Sequence, residues 1–378
     1  MYEPSRALAL LLVVWAAIYV SNRLLSLEKY GLEVTFYYLI YRTKRFNEFL
    51  KKIAEKNKKF WQTFANLGIA AVVVQMPLAI YFLTINLQRF IYTPKEAEPI
   101  TLILPGITIG LRWIPYILIA AGIAITVHEM AHGIISFSEK IPIKSSGIII
   151  ALVTFGGFVE PEEEVFEKAN ILSKLRVLAA GSLTNIITGL LVLLLLSAFF
   201  IPFSGVLVMN VSEEGPAYLA GMKSWDVIYS INGYSILDVE DFLGLMSTVG
   251  PAKSLTLETS RGIIEILTAA DPENVSRGII GVRDFVSYYS MRLGEVNSQF
   301  SYHLFVVLNW VSMIMINVAI FNMLPLFPFD GEACLYSLLK TKVKKGLKGI
   351  RIVINAFSLG LIIANIGFTF IRYGLTPF

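Results

Sequence analysis

The stretch WIPYILIAAGIAITVHEMAHGIISFS, residues 113–138, decides how the rest of the chain reads. It is apolar and long enough to cross about 30 Å of hydrocarbon as a helix. Near its end stand Val127, His128, Glu129, Met130, Ala131, His132 and Gly133, the pattern H-E-x-x-H. On a helix, positions i and i+4 share one face, so His128 and His132 can grip one metal ion. Glu129 stands about 100° round the helix from His128, close enough to reach a water on that ion without ligating it. Two His ligands with a Glu base form the zinc-peptidase pattern. The competing reading is a chance match on a buried helix, which the scarcity of histidine, three in 378 residues, argues against. A carboxylate at mid-membrane costs on the order of 2.5–3.5 kcal/mol. A bound dication compensates that cost directly.

Composition sets the class. Apolar residues make up 55% of the chain and charged residues 16%, with a mean hydropathy of +0.65. Ordinary soluble domains carry about 25% charged residues, so this is a membrane protein. The net charge of +4 is small and clustered in loops, which points to membrane topology and not to nucleic acid. One cysteine, Cys334, excludes an internal disulfide.

Upstream of the opening stretch, residues 7–25 read as a first span, with a cleaved signal peptide as the rival. Only Arg6 precedes the run, whereas Lys29, Arg42, Lys44, Arg45, Lys51, Lys52, Lys56, Lys58 and Lys59 follow it. By the positive-inside rule the basic segment is cytoplasmic and the N-terminus outside. Residues 30–60 mix aromatics with Lys and predict a helix lying on the membrane surface. Residues 61–91 form a second span. An external connection over 92–112 follows, with Pro94, Pro99, Pro105 and Gly106. The third span, 113–138, then runs inward, which places His128 in the cytoplasmic half.

Downstream, the β-branched run 148–159, broken by Gly156 and Gly157, predicts a hairpin or re-entrant loop. Non-helical backbone at membrane depth survives only where it is buried in protein or lines a cavity. The fourth span, 171–201, contains Gly181, Ser182 and Asn185. Small residues there predict close helix packing, while an amide in hydrocarbon needs a partner, either across helices or in an active site. Residues 204–285 change to a soluble, β-rich composition. The fifth span, 301–322, breaks at Asn322, Met323, Leu324, Pro325, Leu326, Phe327, Pro328, Phe329, Asp330 and Gly331. A helix resumes over 332–340, followed by a basic patch (Lys342, Lys344, Lys345, Lys348, Arg351) and a sixth span, 352–372. The resulting domains are 1–112, 113–203, 204–285, 286–345 and 346–378. Both termini and the β-rich insert fall outside, with the basic loops cytoplasmic.

A catalytic zinc takes three protein ligands and leaves one position open. His303 starts the fifth span on its external side, 19 residues before Asn322. That is about 28 Å along a helix, the wrong depth. Asp330 lies at the right depth on the broken segment, and a helix N-cap or turn role is its plain alternative. Cys334, four residues later, reads as a small packing residue.

The insert resembles the PDZ family: Gly215-Pro216-Ala217, Ala220-Gly221-Met222, Asp226-Val227-Ile228 and Ile231-Asn232-Gly233 follow its order. Ser224 and Trp225 replace the usual residues, ending in Gly, before the Asp. Residues 113–372 as a whole resemble the site-2 protease family of intramembrane zinc metalloproteases. The resemblance rests on H-E-x-x-H, on the small-residue helix ending in Asn185, and on N-x-x-P-x-x-P-x-D-G from Asn322 to Gly331. It implies an α-helical polytopic membrane protein of about six transmembrane helices with a re-entrant β-hairpin and an inserted PDZ-like domain. It also implies one Zn2+ on His128, His132 and Asp330, with Glu129 as catalytic base. Asn322 and Asn185 would assist substrate or transition-state binding, and Gly156 and Gly157 would belong to a substrate-pairing strand. Phe329 and Glu332 depart from the family's usual Leu or Met and second Gly.

The function so implied is hydrolysis of peptide bonds within transmembrane segments of membrane-anchored proteins. The PDZ-like domain would screen substrates already trimmed by an upstream site-1 protease. The partners expected are those substrates, that protease and the lipid bilayer, with no nucleic acid. The alternatives are a membrane metal-ion transporter and a non-catalytic PDZ-bearing scaffold. A conduit needs several sites in series, and a scaffold has no use for Glu129 between the two His residues.

Overall fold

The structure, a computed structural model, describes residues 4–104, 107–151, 154–294 and 297–374. Pro105 and Gly106 of the expected connection, and Leu152 and Val153 of the expected hairpin, lie outside the described residues. The chain divides into two units, Met1–Leu190 with Val311–Phe378, and Leu191–Trp310.

The first unit begins with helix α1 (Pro4–Leu25), at the place of the expected first span; among the described residues its stretch Val13–Leu25 is apolar but shorter than a span. Residues 30–60, expected as one surface helix, instead contain strands β1 (Leu32–Val34) and β2 (Tyr38–Thr43) before helix α2 (Arg45–Lys56). The correction has a tertiary cause. Tyr38 through Thr43 pair antiparallel with Ala151 through Ser146, a partner about a hundred residues away that a local reading cannot see. Only α2 keeps the amphipathic helical pattern. Its Leu50 and Ala54 are buried, packed with Ile134 and Ile143, so this face is covered by protein.

Helix α3 (Lys58–Tyr92) is followed by α4 (Ile114–Ser138), β3 (Ile143–Ala151), β4 (Thr154–Pro161), the short α5 (Glu163–Lys168) and α6 (Ile171–Phe199). The hairpin β3–β4 forms as expected but is half of a larger sheet, in the order β1-β2-β3-β4. Strand β4 stands at one edge, beside α4.

The second unit holds a sheet in which Gly262–Leu267, Ser254–Thr259, Val227–Ile231, Val206–Val211 and Val282–Ser287 are neighbours in that order. Alternate residues Leu255, Leu257 and Thr259 turn inward, the period-2 pattern of a half-buried strand. Helix Val239–Ser247 covers the core through Phe242 and Met246, and Asp238 caps its start by accepting from the Asp241 N–H. Asn232 and Gly233, both at positive φ, make the tight turn between Val227–Ile231 and Tyr234–Ser235. Trp225 also lies in the left-handed region, at φ +75°, where the PDZ pattern has Gly. That conformation costs a non-glycine residue about 1–3 kcal/mol. The indole recovers contact by packing 5.3 Å from the His303 ring and 5.9 Å from Tyr302. His303 therefore serves this aromatic cluster.

Helix α7 (Ser298–Phe321) leads back into the first unit and is followed by the irregular segment 322–329, α8 (Asp330–Lys342) and α9 (Leu347–Tyr373). Five helices among the described residues are long and apolar enough to cross a membrane: Lys58–Tyr92, Leu111–Ser138, Ile171–Phe199, Ser298–Phe321 and Leu347–Tyr373. Within the first unit, buried amides tie α3 to α9. Asn86 donates to Asn365 Oδ1 at 3.0 Å and to the Glu98 carbonyl at 2.9 Å. Such bonds average about 0.6 kcal/mol between membrane helices, so their value lies in fixing register.

Candidate metal centre

Two helices and one irregular segment build the site. Helix α4 brings His128 and His132 to one face, and their side chains are buried. The prolines of segment 322–329 stop α7 from continuing, and the chain folds back so that the Gly331 N–H donates to the Asn322 carbonyl at 2.9 Å. A Cβ on Gly331 would collide with the Met323 backbone, so glycine permits this close return. Asp330 is thereby aimed at the two imidazoles. Its Oδ2 lies 3.2 Å from His128 Nε2 and 3.1 Å from His132 Nε2, and the two Nε2 atoms are 3.0 Å apart. One ligand atom from each of the three residues lies within 4.8 Å of the others. Two neutral nitrogens and one carboxylate oxygen aimed at a common point suit a divalent zinc-type ion and leave room for a fourth ligand. Cys334 is buried as a packing residue.

Helix α6 forms the back of the site through three residues on one face, four apart. Val177 accepts from His132 Nδ1 at 2.7 Å through its backbone carbonyl. At Gly181 a Cβ would stand 2.5 Å from His128 Cε1 and 2.6 Å from both Nε2 atoms, so only glycine admits both rings. Asn185 sits fully buried with Nδ2 3.3 Å from His128 Nδ1. The 177, 181, 185 spacing on α6 thus matches the 128, 132 spacing on α4 in the opposite direction. Gly181 reads in the sequence only as a packing residue. Val177 is invisible there, because its main chain and not its side chain makes the contact.

Glu129 follows His128 on α4, and β4 holds its carboxylate. Its Oε2 accepts from the Val159 N–H of β4 at 2.8 Å. Gly157 lies against it: a Cβ there would stand 2.8 Å from Ile125 Cγ2 and 3.3 Å from Glu129 Cγ. Gly156 is on the opposite face of β4, opposite Ile149. Asn322 reaches the centre, donating to Asp330 Oδ2 at 2.7 Å, with Nδ2 3.1 Å from His128 Nε2. The structure thus brings Glu129, His128, His132, Asp330, Asn322, Asn185 and Gly157 together and leaves Gly156 one layer away.

A family model described as peptidase family M50 matches residues 116–364, well over half of the chain and spanning every group just described. The chain belongs to peptidase family M50. This M50 member is similar to an uncharacterized protein of Methanocaldococcus jannaschii, 30% identical over 85% of this chain and 81% of that one. It is also similar to a membrane-bound transcription factor site-2 protease homolog of Arabidopsis thaliana, 22% identical over 57% of this chain and 43% of that protein. This M50 chain therefore spans less than half of the plant relative's length. Among solved structures, the PDZ domain of an SdrC-like protein from Listeria monocytogenes matches 22% of this chain and 88% of its own, at 21% identity and a TM-score of 0.20. Membership in M50, the site-2 protease family, together with five span-length apolar helices, makes the protein an integral membrane protein of a metallopeptidase family.

Proposed function

We propose that the protein is an intramembrane zinc metalloprotease that hydrolyses peptide bonds within transmembrane segments of membrane-anchored substrates. The observation that carries this reading is the convergence of His128, His132 and Asp330 near the C-terminal end of α4 with a carboxylate, Glu129, beside them. A zinc ion held by those three residues would supply Lewis-acid polarisation of a carbonyl. Glu129 would serve as general base toward the attacking water and hand the proton to the leaving amine. Asn322 Nδ2 offers a hydrogen bond where the developing oxyanion would sit. The substrate must leave its helix, since a helical amide is hydrogen-bonded within the segment. The outer edge of β4 supports an extended pose by main-chain pairing. Charge asymmetry supports a cytoplasmic α2 and a PDZ-like unit outside, where it would screen substrates trimmed by an earlier protease.

Full-length protein in detergent, incubated with a transmembrane peptide, should cleave it, and a zinc chelator should stop cleavage. Glu129→Gln should leave zinc content near wild type and abolish turnover. An active Gln variant, or cleavage indifferent to chelator, removes the reading.

A further inference from the structure

We propose that Asn185 is a positioning residue for His128. Its side-chain carbonyl accepts the Nδ1–H of that ring and so turns the Nε2 lone pair toward the metal. The inference rests on the metal-centre reading above but not on cleavage.

The two imidazoles share one requirement. A neutral imidazole ligates through the nitrogen without a proton, and the other nitrogen then carries the hydrogen. For His132 the geometry settles which is which. Nδ1 lies 2.7 Å from the Val177 carbonyl, which can only accept, so Nδ1 bears the proton and Nε2 keeps its lone pair for ligation. His128 Nε2 points at the same centre, 3.2 Å from Asp330 Oδ2. Its Nδ1 must therefore also hold the proton and also needs an acceptor.

The group at Nδ1 of His128 is the Asn185 amide, 3.3 Å away. An amide has a donor end and an acceptor end of nearly the same shape, exchanged by a half turn of the terminal torsion. With Nδ2 facing the ring, Asn185 Oδ1 is left buried and without a partner. An orphaned buried acceptor is unfavourable. With Oδ1 facing the ring, that oxygen gains the Nδ1–H and His128 adopts the same tautomer as His132. The half turn gives Oδ1 a partner and sets the tautomer, while Nδ2 takes the place that Oδ1 vacates. Asparagine also orients the ring without adding a third carboxylate to an apolar layer that already holds Asp330 and Glu129. Outer partners of this kind typically change metal affinity by about 10–100-fold.

The test uses the full chain in detergent or bilayers. Nitrogen-15 histidine spectra of the metal-free protein read the tautomer directly, and three histidines keep them assignable. The expected result is Nδ1–H at His128, moving toward Nε2–H in Asn185→Leu. Zinc affinity by chelator competition should fall about 10–100-fold in Asn185→Leu and stay within a few-fold of wild type in Asn185→Asp, which keeps the acceptor. A merely packing role would lower the melting temperature of the metal-free protein and leave affinity alone. An Nε2–H tautomer in the wild type, or undiminished affinity in Asn185→Leu, overturns the proposal. The wild-type tautomer needs no substitution, so a variant that does not fold leaves the test intact. If the tautomer and affinities come out as expected but no peptide is cut, the protease reading falls and this assignment stands.

Discussion

The Glu129 carboxylate is hydrogen-bonded to the Val159 backbone N–H at 2.8 Å, which couples this side chain to the edge strand. Val159 stands opposite Ser146 in the β3–β4 ladder, yet its N–H goes to Glu129, so it points away from β3. By the alternation of an antiparallel pair, Gly157 turns its N–H and carbonyl the same way. A peptide strand approaching this edge would therefore meet a donor already engaged by Glu129. Val159→Pro removes that donor at a non-ladder position, where an edge strand tolerates proline. Steady-state kinetics should show a raised KM and a lowered kcat, with zinc content unchanged. A variant with wild-type constants would show the bond to be idle.

Gly157 and Gly156 are neighbours with opposite exposures to the chemistry. Alanine at 157 would press on Ile125 and Glu129, where a displacement of about 1 Å costs on the order of 100-fold in rate. Alanine at 156 meets only Ile149 Cγ2, at 3.4 Å. Turnover should collapse in Gly157→Ala and survive in Gly156→Ala, each with zinc bound. Equal losses in both would remove the asymmetry.

Gly181→Ala should fail differently, by losing the ion. Its new methyl would overlap both imidazoles, and overpacking of this kind costs about 1–3 kcal/mol. Metal analysis of the purified variant should show weakened zinc retention, as should Asp330→Asn, in which the carboxylate is replaced by a neutral amide. Full zinc occupancy in Gly181→Ala would mean that the rings can retreat.

Glu332 occupies a position where the family often has glycine, and the structure shows its use. It is buried and paired with Arg351 of α9, whose Nη2 donates to Oε2 at 3.0 Å and whose guanidinium lies over Tyr336. Arg351→Met leaves a buried carboxylate unpaired. Because the Arg351 side chain is itself 38% exposed, solvent screening reduces the loss to about 1–2 kcal/mol. Pairing it with Glu332→Leu should recover most of that stability in thermal unfolding. A double variant weaker than the single one would contradict this account.

The helices were legible because hydropathy and length alone specify a span, and H-E-x-x-H with N-x-x-P-x-x-P-x-D-G names side chains whose chemistry is the signal. What stayed hidden acts through the main chain or through distant pairing. Tyr38 through Thr43 become a strand only once β3 exists. Val177 contributes a carbonyl that any residue possesses. Gly181 matters through what it lacks. A usable sign was present in the four-residue spacing from 177 through 181 to 185, which repeats the spacing of the two histidines.

The unit Leu191–Trp310 separates the part of α6 that backs the histidines from α8, whose first residue is Asp330. During synthesis, both imidazoles and their backing helix emerge first. The carboxylate follows only after the whole intervening module has been made. A nascent chain thus holds a two-nitrogen half-site until Asp330 has been made. Any chemistry that needs all three ligands waits for that residue.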